Sequence, residues 1–500
     1  TNAVCRFCKR HLLLVQCIFY FVISCSPYMY KSEQLAHSIR QLIESGTLNA
    51  HEKLPSLRDQ VQRSGFSLMT VMNAYQELES QGLIYSKEKS GYFVAEQIAL
   101  KPLEQYSIVS LNSKIEINSL VFKYLKSIQH ESVVPFGSAF PDSQLLAAPK
   151  LIQIMGQLAR QRQSYDQTTS LPPGNLALRK LIAQRYCMQG IQTDPDDIVI
   201  TSGGLDALNL SLQAVAKPGD YILLQQTVFY GAWQAAERLG LKVITIPEHP
   251  QHGFDLEAFE QVIHTYPIKV CWLMLNSHNP IGFTVSDEIK YKIAKLLHEH
   301  QIYLIEDDVY EELYYGGQKP LSMKYFDQQN LVLHCSSFSK TLGAGFRVGW
   351  VYAGKFSDHI QHLQLMSTIS VNALIQNALV EFLSHHHYEK HLRTLRLSLE
   401  RYKKQFYHYL KQHLPATCEI YYYPSGYFLW VKLPHKLDSM QIYEELIQQD
   451  IGVAPSPLFS VLPAQQHYLR INCSFEWNEK IQAALDQVIK TIQQRVEASL

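Results

Sequence analysis

Cys335-Ser336-Ser337-Phe338-Ser339-Lys340-Thr341-Leu342-Gly343-Ala344-Gly345-Phe346-Arg347-Val348-Gly349-Trp350 is the stretch on which the reading of this chain turns. One lysine stands among hydroxyl residues, with an arginine seven positions on and glycines between. Apolar, strand-like runs bracket it: residues 330–334 before and 350–353 after. A lysine there can form a Schiff base with an aldehyde once burial and neighbouring cations lower its pKa. Ser337, Ser339 and Arg347 offer a phosphate hydroxyl donors and a fixed guanidinium fork. An aldehyde joined to a phosphate is pyridoxal phosphate. The plainer alternative is a polar loop with a solvated lysine, so the surrounding chain has to supply context.

Working outward, the context reads as alternating apolar strands and helices. Pro173-Gly174-Asn175-Leu176-Ala177-Leu178-Arg179 leads into a helix, and Ile198 to Thr201 is a strand followed by Ser202-Gly203-Gly204 and a helix from about Leu205. A strand, a glycine turn and a helix N-terminus make an anion site, because free N–H groups and the helix dipole face the phosphate. Tyr221 to Leu224 is a further strand. Phe229 just beyond it can stack on a ring or fill the core. Val270 to Leu275 is ended by Asn276-Ser277-His278-Asn279-Pro280-Ile281-Gly282, and Ile302 to Ile305 by Glu306-Asp307-Asp308-Val309-Tyr310. Buried strands alternating with helices predict a parallel sheet covered on both faces. Asn279, Asp307 and Tyr310 then project at strand ends, where such sheets bind ligands.

The residue types suit the chemistry. A carboxylate beside a pyridine nitrogen keeps the ring protonated, and Asn and Tyr can hydrogen-bond a phenolate oxygen. In Tyr468-Leu469-Arg470-Ile471-Asn472, Arg470 is either a bidentate clamp for a substrate carboxylate or a surface charge. Pro135 to Asp142 reads as a substrate-side loop. His385-His386-His387 reads as a solvated helix end rather than a metal site, because no further ligand cluster has suitable spacing.

The N-terminal part differs. Leu35, Ile39, Leu42 and Ile43 recur at helical spacing, Ser56 and Asp59 resemble a capping box, and Ser67 caps a helix carrying Val71, Ala74, Tyr75 and Leu78 on one face. Two short strands, 83–85 and 91–94, follow. Three helices and a hairpin predict a winged helix-turn-helix over residues 30–95. Its second turn helix would present Ser67, Leu68, Thr70, Met72 and Asn73 to a major groove, while Arg58, Lys87 and Lys89 would meet phosphate. A small protein-binding domain is the alternative, since seven basic side chains balance seven acidic ones in this segment. A modest salt slope per domain is expected.

The bulk numbers are permissive. Five hundred residues with 46% hydrophobic content and zero formal net charge describe a large globular chain without a global field for nucleic acid or membrane. Five of the nine cysteines are scattered without pairing or zinc spacing, which fits a reducing cytoplasm. Residues 1–28 contain no acidic residue and carry a basic then apolar pattern like a signal peptide. They read as upstream sequence translated in error or, less readily, as a leader. Residues 96–114 read as a linker.

Two resemblances are specific. Residues 30–95 resemble the DNA-binding domain of GntR-type bacterial regulators, through Leu54-Pro55-Ser56-Leu57-Arg58, Ser67, Thr70-Val71, Tyr75-Gln76-Glu77-Leu78, Gly82-Leu83-Ile84 and Ser90-Gly91-Tyr92-Phe93-Val94. The second helix departs from the family's Ala-rich pattern with Gln60-Val61-Gln62-Arg63. Residues 115–495 resemble fold-type I aminotransferases, through Asn276-x-His278-Asn279-Pro280-x-Gly282, Asp307-x-x-Tyr310, Ser337-x-Ser339-Lys340 and Arg347-x-Gly349 in order. That resemblance implies an α/β body with a mostly parallel sheet and a smaller C-terminal α+β subdomain. It implies Lys340 as Schiff-base lysine and proton-transfer base, Asp307 at the ring nitrogen, Asn279 and Tyr310 at the phenolate, and Phe229 stacked on the ring. Gly203, Gly204, Ser337 and Arg347 would hold phosphate and Arg470 an amino-acid carboxylate. A homodimer is implied, with Tyr165 a candidate to reach the partner's phosphate. A GntR-like head on such a body resembles the MocR regulators, which implies a cytoplasmic, PLP-dependent regulator of DNA that senses an amino acid or amine. An aminotransferase with an incidental head is the alternative, and a body that has lost PLP is a third reading.

Overall fold

The computed structural model describes residues 30–87, 90–111, 117–161, 170–434 and 436–499. Residues 1–28, Lys89 and Tyr165 lie outside them. The chain divides into a head ending at Ala99 and a body of Leu100–Tyr314 and Lys319–Leu500.

In the head, helices α1 (Lys31–Glu44), α2 (Leu57–Ser64) and α3 (Leu68–Ser80) precede strands β1 (Ile84–Lys87) and β2 (Gly91–Val94). The two caps form as the sequence predicts: Ser56 Oγ accepts from the Asp59 N–H at 3.2 Å and Ser67 Oγ from the Thr70 N–H at 3.1 Å. Each satisfies an orphan donor of its first turn. Gly65 ends α2 in the left-handed region, φ +68°, where a Cβ would be strained. Leu35, Ile39, Val71, Ala74, Leu78, Ile84 and Val94 bury together into one small core. Tyr75 is buried with them and donates its hydroxyl to the Pro55 carbonyl at 3.0 Å, which ties the start of α2 to α3. The antiparallel pair β1–β2 forms the wing, with Ile84 opposite Val94 and Lys87 opposite Gly91.

The body is built on an eight-stranded sheet in the order β3-β6-β5-β7-β8-β9-β10-β4. Its strands are β3 (Val109–Leu111), β4 (Ile198–Thr201), β5 (Tyr221–Gln225), β6 (Lys242–Ile246), β7 (Ile268–Leu273), β8 (Tyr303–Asp307), β9 (Val332–Ser337) and β10 (Gly349–Tyr352). The β6-β5-β7-β8-β9 run is parallel, while β3 and β10 run antiparallel to their neighbours. Strands β4, β8 and β9 are buried along nearly their whole lengths, the composition a sheet covered on both faces requires. A smaller antiparallel sheet, β11 (Glu419–Tyr421), β12 (Phe428–Lys432), β14 (Tyr468–Asn472) and β13 (Ala454–Pro455) in that order, forms the C-terminal subdomain.

The segment read as a linker carries structure of its own. Val109, Ser110 and Leu111 pair antiparallel with β6 as an edge strand, and Leu103 N–H donates to the Pro250 carbonyl at 2.9 Å. Three residues are too few to show an alternating pattern, so the sheet recruits a strand that periodicity does not announce. Among the described residues no helix is long and apolar enough to cross a membrane.

Candidate functional site

Strands β4, β8 and β9 point the same way, and their C-terminal ends bring the site together. Asp307 is the last residue of β8 and Ser337 the last of β9; a single 3-10 turn, Phe338–Lys340, then delivers Ser339 and Lys340. Gly349 of β10 lies between Thr201 and Ser337 in register. A Cβ at Gly349 would stand 2.6 Å from the Gly203 carbonyl carbon and 2.7 Å from the Gly204 nitrogen. Gly349, two positions after Arg347, is therefore required by the close approach of the 203–204 turn.

Lys340 is buried, and its Nζ donates to the Ala139 carbonyl at 2.7 Å. The ammonium lies over the Phe140 ring at 4.4 Å and the Tyr310 ring at 5.2 Å. Burial, then the cations of Arg470 and Arg347, pull its pKa from 10.5 down to about 7, against the opposing carboxylate of Asp307. A neutral amine is thus accessible at neutral pH, the form a nucleophilic lysine needs. Asp307 is 2% exposed, and burial with the neighbouring Asp308 pushes it up to about 7. Asp307 Oδ1 and Ser339 Oγ are buried without a hydrogen-bond partner. A buried acceptor of that kind is costly unless a ligand meets it.

Arg470, ambiguous in sequence, is fully enclosed at 1% exposure, which excludes the surface-charge alternative. Its guanidinium donates to Asn279 Oδ1 and to the Gly137 carbonyl, both at 2.6 Å. Asn279 Nδ2 in turn lies 3.4 Å from the Tyr310 hydroxyl. Lys340 and Tyr310 meet at the Ala139 carbonyl, which the Tyr310 hydroxyl reaches at 3.5 Å, and Asn279 and Arg470 continue the polar chain from Tyr310. At the other end, the Arg347 guanidinium packs against Gly203 and donates to the Ser202 carbonyl at 3.1 Å. Ser337 Oγ borders Gly204 at the N-terminus of the helix Gly204–Val215. Phe229 is half-buried and its ring meets Tyr230 and Gly231.

Sequence reasoning missed Tyr427, whose hydroxyl donates to the Ala139 carbonyl at 2.8 Å. It sits in an apolar run entering β12, where nothing marks its hydroxyl. The 135–142 loop, by contrast, does close over the lysine. Beneath Asp307 lies a second buried set, Glu306, Asp308 and His334. His334 Nε2 meets Asp308 at 3.2 Å and its Nδ1 the Tyr186 hydroxyl at 2.6 Å. Burial disfavours the charged ring, but Asp308 and Glu306 carry it up to about 9, so the set reads as a buried ion pair. His385 pairs with Glu381 at 3.4 Å, and His387 sits in the left-handed turn before Tyr388–His413.

In the head, Arg58, Asn73 and Lys87 are exposed. The Ser67 and Thr70 hydroxyls hydrogen-bond each other at 2.8 Å. Their first duty is therefore to cap α3.

The fold and site together define a DNA-binding transcriptional regulator: a winged helix-turn-helix head on an aminotransferase-like body. The chain belongs to the MocR-type regulators. Residues 31–94 match the bacterial regulatory proteins, gntR family, and residues 137–488 match aminotransferase class I and II. The chain is 45% identical over 468 residues to the HTH-type transcriptional regulator YdcR of Escherichia coli K12, covering 94% of this chain and 100% of that one. It is 34% identical to the HTH-type regulator YjiR of the same organism, over 94% of this chain and all of the relative. Among solved structures, a kynurenine aminotransferase of Pyrococcus horikoshii in complex with PMP superimposes with a TM-score of 0.68 at 22% identity, over 77% of this chain and 96% of that one. The α-aminoadipate aminotransferase LysN of Thermus thermophilus gives a TM-score of 0.68 at 21% identity, over 77% and 100%. These last two are similar in fold.

Proposed function

We propose that the body holds pyridoxal phosphate through Lys340 and senses an amino acid or amine, and that the head's grip on DNA changes with that event. The observation that carries this is the pairing of a buried, readily neutral Lys340 with a buried Asp307 that has a free oxygen. The residues fit the cofactor at each end. Lys340 offers the amine for its aldehyde and Asp307 Oδ1 an acceptor for a protonated ring nitrogen. Gly203, Gly204, Ser337 and Arg347, with Ser339 Oγ still free, surround the place for its phosphate. Asn279 and Tyr310 offer donors to its phenolic oxygen, and Phe229 an aromatic face. When bound, the cofactor supplies an electron sink for bonds at an amino-acid α-carbon.

This chain's own groups do the rest. Arg470 binds a carboxylate in place of the Gly137 carbonyl, which it engages without ligand. Lys340 accepts and returns a proton at Nζ. The 135–142 loop excludes water from the amine through Phe140. A ligand that prefers one arrangement of this loop shifts the body's conformation, which is the requirement for regulation. As a homodimer in the cytoplasm, the protein presents two heads to two half-sites.

The test is fluorescence anisotropy of the full chain on DNA from upstream of its own gene, across a salt series, with and without pyridoxal phosphate and a panel of amino acids and amines. Competitor-resistant binding that the cofactor and one ligand shift is the expected result. Weak binding removed by salt, with steady amino-donor turnover, would instead support an aminotransferase.

A further inference from the structure

The recognition helix carries an unusual outward face. α3 spans thirteen residues, Leu68–Ser80, and contains no lysine or arginine. Val71, Ala74, Tyr75 and Leu78 are buried in the head's core. The opposite stripe is therefore Met69, Met72, Asn73 and Gln76, at i, i+3, i+4 and i+7. Met69 is 61% exposed and Leu68, at the helix start, 55%. Two large apolar side chains in water at the tip of a reading helix call for an apolar partner.

We infer that this helix reads an A·T-rich half-site, through thymine methyl groups against Leu68 and Met69 and adenine edges against Asn73 and Gln76. The inference deepens the DNA-binding reading and rests on it. In the major groove the only apolar group on a base edge is the thymine C5-methyl, and Asn or Gln pairs bidentately with adenine. Guanine is read most often by Arg or Lys, and α3 offers neither. Cations are present but stand to the side: Arg58 in the first turn of α2 and Lys87 on the wing, both exposed and placed for phosphate. The acids of α3 lie in its far half and are engaged, Glu77 with Arg40 at 3.7 Å and Glu79 with the Ser86 N–H at 2.9 Å. Duplex DNA is the occupant that matches an apolar and amide-bearing centre flanked by cations.

The experiment is selection of the full-length, PLP-supplied protein on a randomised duplex library, followed by deoxyuridine replacement of thymines in the enriched half-site. The expected half-site is dominated by A·T pairs. Each contacted thymine replaced by deoxyuridine weakens binding about fourfold, the factor that burial of one methyl group gives. The Leu68→Ala, Met69→Ala double variant, altered only at exposed positions, loses that sensitivity. Arg58→Ala weakens all sequences alike and lowers the salt slope by about one. A G·C-dominated half-site, deoxyuridine indifference, or sensitivity retained in the double variant overturns the inference. Absence of any enrichment overturns the DNA-binding reading along with it, which separates the two failures.

Discussion

Replacing Lys340 with methionine should stabilise the cofactor-free protein. The side chain stays unbranched, is one atom shorter, and loses a charge that burial opposes. An amine brought from 10.5 to about 7 on folding costs the folded state ~4 kcal/mol at pH 7. The sign follows from proton uptake. At neutral pH the unfolded chain holds this proton and the folded chain tends to release it. The cost is therefore fully present below pH 7, shrinks as pH rises, and vanishes above 10.5. Against it stands the lost hydrogen bond to the Ala139 carbonyl, ~1 kcal/mol, and Tyr427 still donates to that oxygen at 2.8 Å. A net gain of ~3 kcal/mol remains. For a body of some 400 residues the unfolding entropy is ~0.8 kcal/mol per degree, so the melting temperature should rise by about 4 °C. Calorimetry of the PLP-free protein at pH 7 and pH 10 measures it. With pyridoxal phosphate the same variant should show no visible absorption band. A variant that melts no higher than wild type at pH 7, or whose gain is the same at both pH values, would refute a buried lysine of depressed pKa.

Three further outcomes are expected. Gly203→Ala puts a Cβ into the Arg347 guanidinium at a residue with φ +94°; fluorescence titration should show PLP binding at least ~10-fold weaker. Arg470→Gln should cost carboxylate-bearing ligands ~2–5 kcal/mol and leave amines lacking a carboxylate little affected, so calorimetric titration of both classes tells which the site prefers. Ser67→Ala removes the cap of α3 and should lower the head's stability by ~1 kcal/mol, read by hydrogen exchange of the α3 amides.

The parts of this molecule fixed by local chemistry were legible in the chain. Ser56, Ser67 and Gly65 mark helix ends because caps and left-handed turns need those residue types. Gly203 belongs with them at φ +94°, whereas Gly204 and Gly349 are glycine because packed neighbours leave a Cβ no room, which only the folded structure shows. Asp307 could be assigned to a strand end because buried parallel strands are continuous apolar runs, while the strand before Lys340, read as residues 330–334, runs instead over Val332–Ser337 because Cys335-Ser336-Ser337 carries no apolar signal. What depends on tertiary closure was not legible. Val109–Leu111 becomes a strand only because β6 offers an open edge. Arg470 could not be separated from a surface charge until β12 and the 135–142 loop were seen to enclose it. Tyr427 is one aromatic in a run of apolar residues, and its function lies in a backbone carbonyl far away in the chain, at Ala139.

Asn279 lies between two members of the polar chain, Arg470 met through its oxygen and Tyr310 through its nitrogen. On the proposed function, a carboxylate that draws Arg470 away would take a proton donor from that oxygen and leave the amide held by the Tyr310 hydroxyl. On that reading, the side chain that would report the effector is also the one that would meet the cofactor's phenolic oxygen. Thermodynamic reciprocity then fixes a symmetry: by whatever factor the effector alters PLP affinity, PLP alters effector affinity. On the proposed function, a protein coupled in this way would register its signal together with how much cofactor is present, and its answer would be a joint measure of two metabolite pools.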